Sequence, residues 1–136
     1  MLEIKIENPP NYDILKQIFK LTDINVYAYS PYIYNPNNCY LDPVVILHEK
    51  VHLQQQGDNP VDWWNRYIVD SAFRFTQELE AYSKQYRAIC EKVKDRNAQA
   101  RHLHTLAVDL SSKTYGDVCT LHEATMAIKQ NVKFKV

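Results

Sequence analysis

Asp42-Pro43-Val44-Val45-Ile46-Leu47-His48-Glu49-Lys50-Val51-His52-Leu53-Gln54-Gln55-Gln56-Gly57 is a helix that carries its own start and stop signals. Asp42 is a cap, Pro43 fits the first helical position, and Gly57 ends the run just past three glutamines. About four turns result. His48 and His52, four residues apart, share one face, and the carboxylate of Glu49 stands beside them. That is the residue chemistry of a catalytic zinc site. Val44, Val45, Leu47 and Val51 are expected to anchor the helix in the core. Gln54, Gln55 and Gln56 read as an exposed last turn, with Gln55 one turn beyond His52 and within reach of the rim of the site.

A hydrolytic zinc site takes three protein ligands and keeps one position open. The third ligand is expected on an element packed across the first helix. Asn59-Pro60 opens such an element, which runs through Trp63, Trp64, Tyr67, Phe73 and Leu79 to about Lys94. This is long for one globular helix, so a break is expected near Asp70-Ser71. Trp63 and Trp64 read as core residues rather than a substrate platform. Glu78 and Glu80 both offer a carboxylate. They stand about 200° apart around a helix, so one faces the metal while the other looks away, and the spacing leaves the choice open.

Upstream, Leu2 to Glu7 alternates apolar and charged residues as a short strand and ends at Asn8-Pro9-Pro10. Asn11 or Asp13 can cap a short helix through Lys20. The run from Ile24 to Tyr34 is rich in β-formers, but Pro31 confines part of it to an edge or a hairpin. Lying just before the metal helix, it is expected to align an extended peptide by strand addition. Asn35-Pro36-Asn37-Asn38 is a turn. Downstream, an apolar-periodic stretch from Ala98 to Leu110 ends at Ser111-Ser112, and Tyr115-Gly116-Asp117 reads as a loop. Thr120 and Glu123 have capping-box spacing for a last helix over 121–129. The expected fold class is α+β, predominantly α: a short N-terminal sheet or hairpin, an active-site helix and a packed glutamate helix.

At 136 residues the chain is the size of one domain, 1–136. Sixteen basic residues balance sixteen acidic ones and are scattered, which argues against a nucleic-acid or anionic-membrane footprint. Three cysteines, an odd number without Cys-x-x-Cys spacing, argue against a disulfide framework and make a reducing, cytoplasmic setting the default. The N-terminus lacks the apolar core of a secretory signal, and no segment is apolar enough to span a membrane.

His48-Glu49-x-x-His52, followed by Glu78-Leu79-x-Ala81, resembles the gluzincin metallopeptidases, whose third ligand is a glutamate on a later helix. It is also similar to small metallopeptidase-like domains of bacteriophages and bacteria. These carry His-Glu-x-x-His-x-x-Gln, then a stretch rich in Trp, Tyr and Phe, then Glu-Leu-Glu-Ala-Tyr. Here Gln55, Trp63-Trp64-Asn65-Arg66-Tyr67, Phe73-Arg74, Glu78-Leu79-Glu80-Ala81-Tyr82 and Gln85 match, over roughly residues 40 to 90. Leu110-Ser111-Ser112-x-x-Tyr115-Gly116 is similar as well. The resemblance implies a small zincin-like domain in which His48, His52 and Glu78 bind zinc and Glu49 is the general base. For a phage-encoded chain it places the protein in the host cytoplasm or the virion.

Tyr82 stands where larger gluzincins often place an Asp that bonds a ligand histidine, so its hydroxyl or another acid must do that work. Glu80 is the alternative ligand. An electrophile for the oxyanion is expected among His102, His104, His122, Tyr67 and the tyrosines of the 27–34 stretch. His122-Glu123-Ala124-Thr125-Met126 mimics the first motif, but Met126 falls where a second ligand is needed. The expected activity is zinc-dependent hydrolysis of peptide bonds in a peptide or protein substrate. The alternative is an inactive, zinc-stabilised structural or assembly protein, which a closed site with a fourth protein ligand would favour.

Overall fold

Helix boundaries fall where the capping residues put them. In the computed structural model, which describes residues 2–112, 115, 117 and 119–134, the order is β1 (Glu3–Lys5), α1 (Tyr12–Ile18), β2 (Tyr27–Tyr29), β3 (Tyr32–Tyr34), α2 (Pro43–Gln56), α3 (Pro60–Val69), α4 (Ser71–Lys92), α5 (Arg96–Leu110) and α6 (Leu121–Phe134). The Asp42 carboxylate accepts from the Val44 amide at 3.0 Å, and Gly57 closes α2 at φ 55°. Asp70 separates α3 from α4: it ends the first and caps the second, accepting from the Phe73 amide at 3.0 Å. The expected break is therefore real. Thr120 and Glu123 bond reciprocally at 2.9 and 3.1 Å, and α6 extends past the expected end at Lys129. Asn11 precedes α1, but its side chain makes no capping bond and the helix stops at Ile18. Gly116, the middle of the expected 115–117 loop, lies outside the described residues.

The β-rich N-terminus forms a three-stranded sheet of order β1-β3-β2. The β2–β3 hairpin is antiparallel, and β1 joins β3 in parallel register, with Ile4 opposite Ile33. The fold is thus mostly helical with a small sheet, as expected. Two apolar clusters fill it. One joins α4, α5 and α6 through Tyr82, Ile89, Leu103, Leu106, Leu110 and Ile128. The other is aromatic and joins α1, the hairpin and α3 through Leu15, Tyr27, Tyr34, Trp63, Trp64 and Tyr67. Trp63 and Trp64 are core residues, and their indole N–H groups donate to Gln77 Oε1 at 2.8 Å and the Ala28 carbonyl at 3.0 Å.

The α2 helix lies between the clusters, and its packing differs from expectation. Val51 is buried, but Val44, Val45 and Leu47 are only half-buried. The innermost stripe is polar: His48, His52 and Gln56, at four-residue spacing, are each less than a tenth exposed. A polar stripe is tolerated inside only when its groups are paired. Gln56, far from being an exposed end, donates to the Ala28 carbonyl at 2.8 Å and accepts from the Ser30 amide at 2.6 Å. It ties the end of α2 to β2 and covers that edge strand. Gln54 is exposed, as expected. No described helix is long and apolar enough to cross a membrane.

Candidate metal centre

Three acceptor atoms converge where α2 crosses α4. Glu78 Oε1 lies 3.1 Å from His48 Nε2 and 3.2 Å from His52 Nε2, and the two Nε2 atoms are 3.2 Å apart. All three side chains are buried. The outer nitrogens explain why this is an acceptor cluster. His48 Nδ1 faces Gln85 Oε1 at 2.9 Å, and His52 Nδ1 faces Gln55 Oε1 at 2.8 Å. The orientation of the Gln55 amide is fixed by its other end, whose Nε2 donates to the Gln77 carbonyl at 3.0 Å and to Glu80 Oε1 at 2.8 Å. An amide oxygen only accepts, so each Nδ1 carries a proton, and each imidazole, when neutral, turns its Nε2 lone pair inward. Two lone pairs and a carboxylate oxygen at this spacing demand a cation.

Zinc fits the space. Donors at about 2.0–2.1 Å around a tetrahedral zinc stand about 3.3 Å apart, close to the observed triangle. His48, His52 and Glu78 are the group among the described residues that could hold a metal ion. His102, His104 and His122 stand apart from it, all three exposed. Tyr67 donates to the second carboxylate oxygen, Glu78 Oε2, at 2.7 Å, leaving Oε1 to point inward.

Glu80, turned away from the centre, accepts from Gln55 and pairs with Lys84 at 3.2 Å. The structure therefore places Glu78, and not Glu80, with the two histidines, and uses Glu80 to hold the glutamine that bonds His52. Tyr82 contributes its ring rather than its hydroxyl. The ring packs edge-on against His48 at 4.5 Å, while the hydroxyl bonds Tyr115 at 2.8 Å. The task of bonding the ligand histidine falls to Gln85. Its signal was present in the sequence: Glu78, Ala81, Tyr82 and Gln85 are spaced as one helix face.

Electrostatics follow from burial and from the partners. Burial raises the Glu78 carboxyl, but His52 and the hydrogen bonds from both histidines outweigh it and hold the group well below the usual carboxylate range. Burial lowers the His52 imidazole, yet Glu78, Glu49 and Gln55 bring it up to about 9. Without a metal ion a proton is then the cation of the cluster, and an incoming metal ion must displace it. Zinc binding at pH 7 is expected to release about one proton per site, read as a dependence of calorimetric heat on the ionisation enthalpy of the buffer. Heats independent of the buffer would contradict this. Because folding raises His52 above its ordinary 6.5, its protonation stabilises the stripped protein fully below about pH 6.5, and that contribution is lost as pH rises through about 9.

Glu49 lies beside the cluster, 3.9 Å from His48 Nε2. Burial raises its carboxyl above the ordinary range, with His48 and His52 drawing it part of the way back. Two cavities meet at Glu49 and His48. One, of about 80 Å³, is aromatic and apolar, with Leu15, Phe19, Tyr27 and Trp64 in its wall. The other, of about 290 Å³, is mixed, with Gln85, Asp109 and Ser112 in its wall beside Ile24, Val45 and Tyr82. Asn25, Val26 and Tyr115 border both. The edge strand expected to align a peptide is β2, but its Ala28 carbonyl is already bonded to Gln56 and Trp64. Asn25 and Val26, just ahead of it, border both cavities, and Tyr27 and Ala28 of the strand itself border the aromatic one. Tyr115 was absent from the expected electrophiles, since nothing in its sequence neighbourhood points to α2. No family model, curated protein or solved structure matches the chain.

Proposed function

We propose that the chain is a small zinc-dependent peptidase of gluzincin-like design. The observation that carries this is the inward-facing triangle of His48 Nε2, His52 Nε2 and Glu78 Oε1, with both outer imidazole nitrogens committed to glutamines and Glu49 at the mouth of two cavities. Three protein ligands leave a fourth position for solvent or substrate, the pattern of a catalytic rather than a structural zinc. Among the described residues the group has no fourth ligand, which weighs against the assembly-protein reading.

A zinc ion held by His48, His52 and Glu78 would supply a Lewis acid for the peptide carbonyl and would acidify a water molecule. The chain's own residues do the rest. Glu49, its proton affinity raised by burial, takes the proton of the attacking water and delivers it to the leaving amine. Tyr67 and the two glutamines keep the ligand atoms aimed inward. Tyr115 borders both cavities, and burial and the nearby Glu78 keep its hydroxyl, bonded to that of Tyr82, protonated across neutral pH. It is the donor for the oxyanion. Tyr67, an expected electrophile, is instead committed to Glu78.

The direct test is zinc content and hydrolysis measured together. One zinc per chain, with hydrolysis of a peptide mixture abolished by chelation and restored by zinc, is expected. A reloaded protein that holds no zinc would overturn the reading. Tyr115→Phe should retain zinc and lower kcat about 10²-fold, with KM nearly unchanged. An unchanged kcat would remove Tyr115 from the mechanism.

A further inference from the structure

Three cavities follow α2 from its C-terminal half to its start. The aromatic one is walled by His48, Glu49 and His52, the mixed one by Val45, His48 and Glu49, and a third, of about 450 Å³, by Asp42, Val44 and Val45. Adjacent cavities share walls: His48 and Glu49 stand between the first and second, Val45 and Gln85 between the second and third. From Val44 to His52 the helix advances about 12 Å at 1.5 Å per residue. That is the length of three to four residues of extended chain.

The middle of this track is acidic. Asp109, in the last turn of α5, borders the second cavity, and its carboxylate has no salt-bridge partner among the described residues. The described residues around that cavity include no Lys or Arg, and Glu49 adds a second carboxylate. The third cavity lies beyond Val45 and Gln85, with an apolar floor of Val44, Ile89, Val93 and Leu106 and with Lys92 and His102 at its border. A site shaped for the end of a chain has no need of space past the charge that binds the end. Here a further cavity follows.

We propose that Asp109 recognises a cationic side chain, and that the cleft takes an internal, extended polypeptide segment with Lys or Arg beside the position of Glu49. The cleavage part of this rests on the peptidase reading, but the recognition does not require turnover. An ammonium group also occurs at a free amino terminus. The continuation into the third cavity favours the side chain.

Zinc-loaded Glu49→Gln protein, titrated calorimetrically with octapeptides acetylated at one end and amidated at the other, separates these possibilities. A single lysine is walked along the peptides, with norleucine as its uncharged counterpart. At one register the lysine peptide is expected to bind about fivefold more tightly, and the preference should shrink as salt is raised. Adding Asp109→Asn should remove most of it. Equal binding of the pair at every register overturns the proposal, as does a lysine preference that survives Asp109→Asn, or binding confined to peptides with a free amino terminus. Wild-type protein is then offered the same capped peptides. A lysine preference in binding without cleavage leaves Asp109 in its role and overturns the peptidase reading. Internal cleavage without a lysine preference does the reverse.

Discussion

Glu49→Gln is expected to lower peptide hydrolysis by about 10²–10⁴-fold while the protein still binds one zinc. The substitution keeps the shape of the side chain and removes its capacity to accept a proton. Glu49 is not among the three converging ligand atoms, so zinc affinity should change little. Its carboxyl is raised by burial, and hydrolysis in the native protein should therefore rise with pH as that group loses its proton. The Gln variant should lack that limb of the profile. Metal analysis and a pH–rate profile of both proteins check the prediction, and equal rates would remove Glu49 as the base.

Arg74→Met is expected to destabilise the fold by about 3 kcal/mol or more, a fall in Tm of roughly 10–15 °C for a chain of this size. Arg74 is buried in the first turns of α4, and its guanidinium donates to three backbone carbonyls: Tyr67 at 2.9 Å, Ile68 at 2.8 Å and Tyr115 at 3.0 Å. The first two belong to the last turn of α3, where carbonyls lack helical partners and the helix end favours a cation. The third fixes Tyr115 over the cavities. The guanidinium also lies 5.1 Å from the Phe19 ring centroid. Methionine fills much of the volume but leaves three carbonyls unpaired. Arg74→Lys should rescue only part of the loss, because one ammonium cannot reproduce a planar fork across three divergent acceptors. Thermal denaturation measures both variants, and a native Tm in Arg74→Met would contradict the argument.

Most of the architecture was legible because helix ends announce themselves locally. Asp42, Gly57, Asn59-Pro60, Asp70 and the Thr120–Glu123 pair act through their own backbone neighbours within a few residues, so their residue types carry the information. The metal cluster was legible for a similar reason. His48 and His52 are brought together by one helix, and Glu78 by a second whose period admits one of two nearby carboxylates.

The remainder depended on contacts between residues distant in the chain. Apolar periodicity could not show that α2 buries His48, His52 and Gln56 rather than its valines, because those polar groups are paid for by partners on α4 and β2. Gln85 was visible as a face-mate of Glu78, yet only packing gave it His48 to bond. Nothing local assigned Tyr82 a ring contact in place of a hydroxyl bond, gave Arg74 its three carbonyls, or brought Tyr115 and Asp109 to the cavities. The sequence by itself determined where the helices start and stop and which residues are chemically able to hold a metal, since both follow from short-range geometry. The tertiary structure alone decided which nitrogen faces inward, which carboxylate points at it and what borders the cleft. Those depend on hydrogen bonds and packing between elements far apart in the chain.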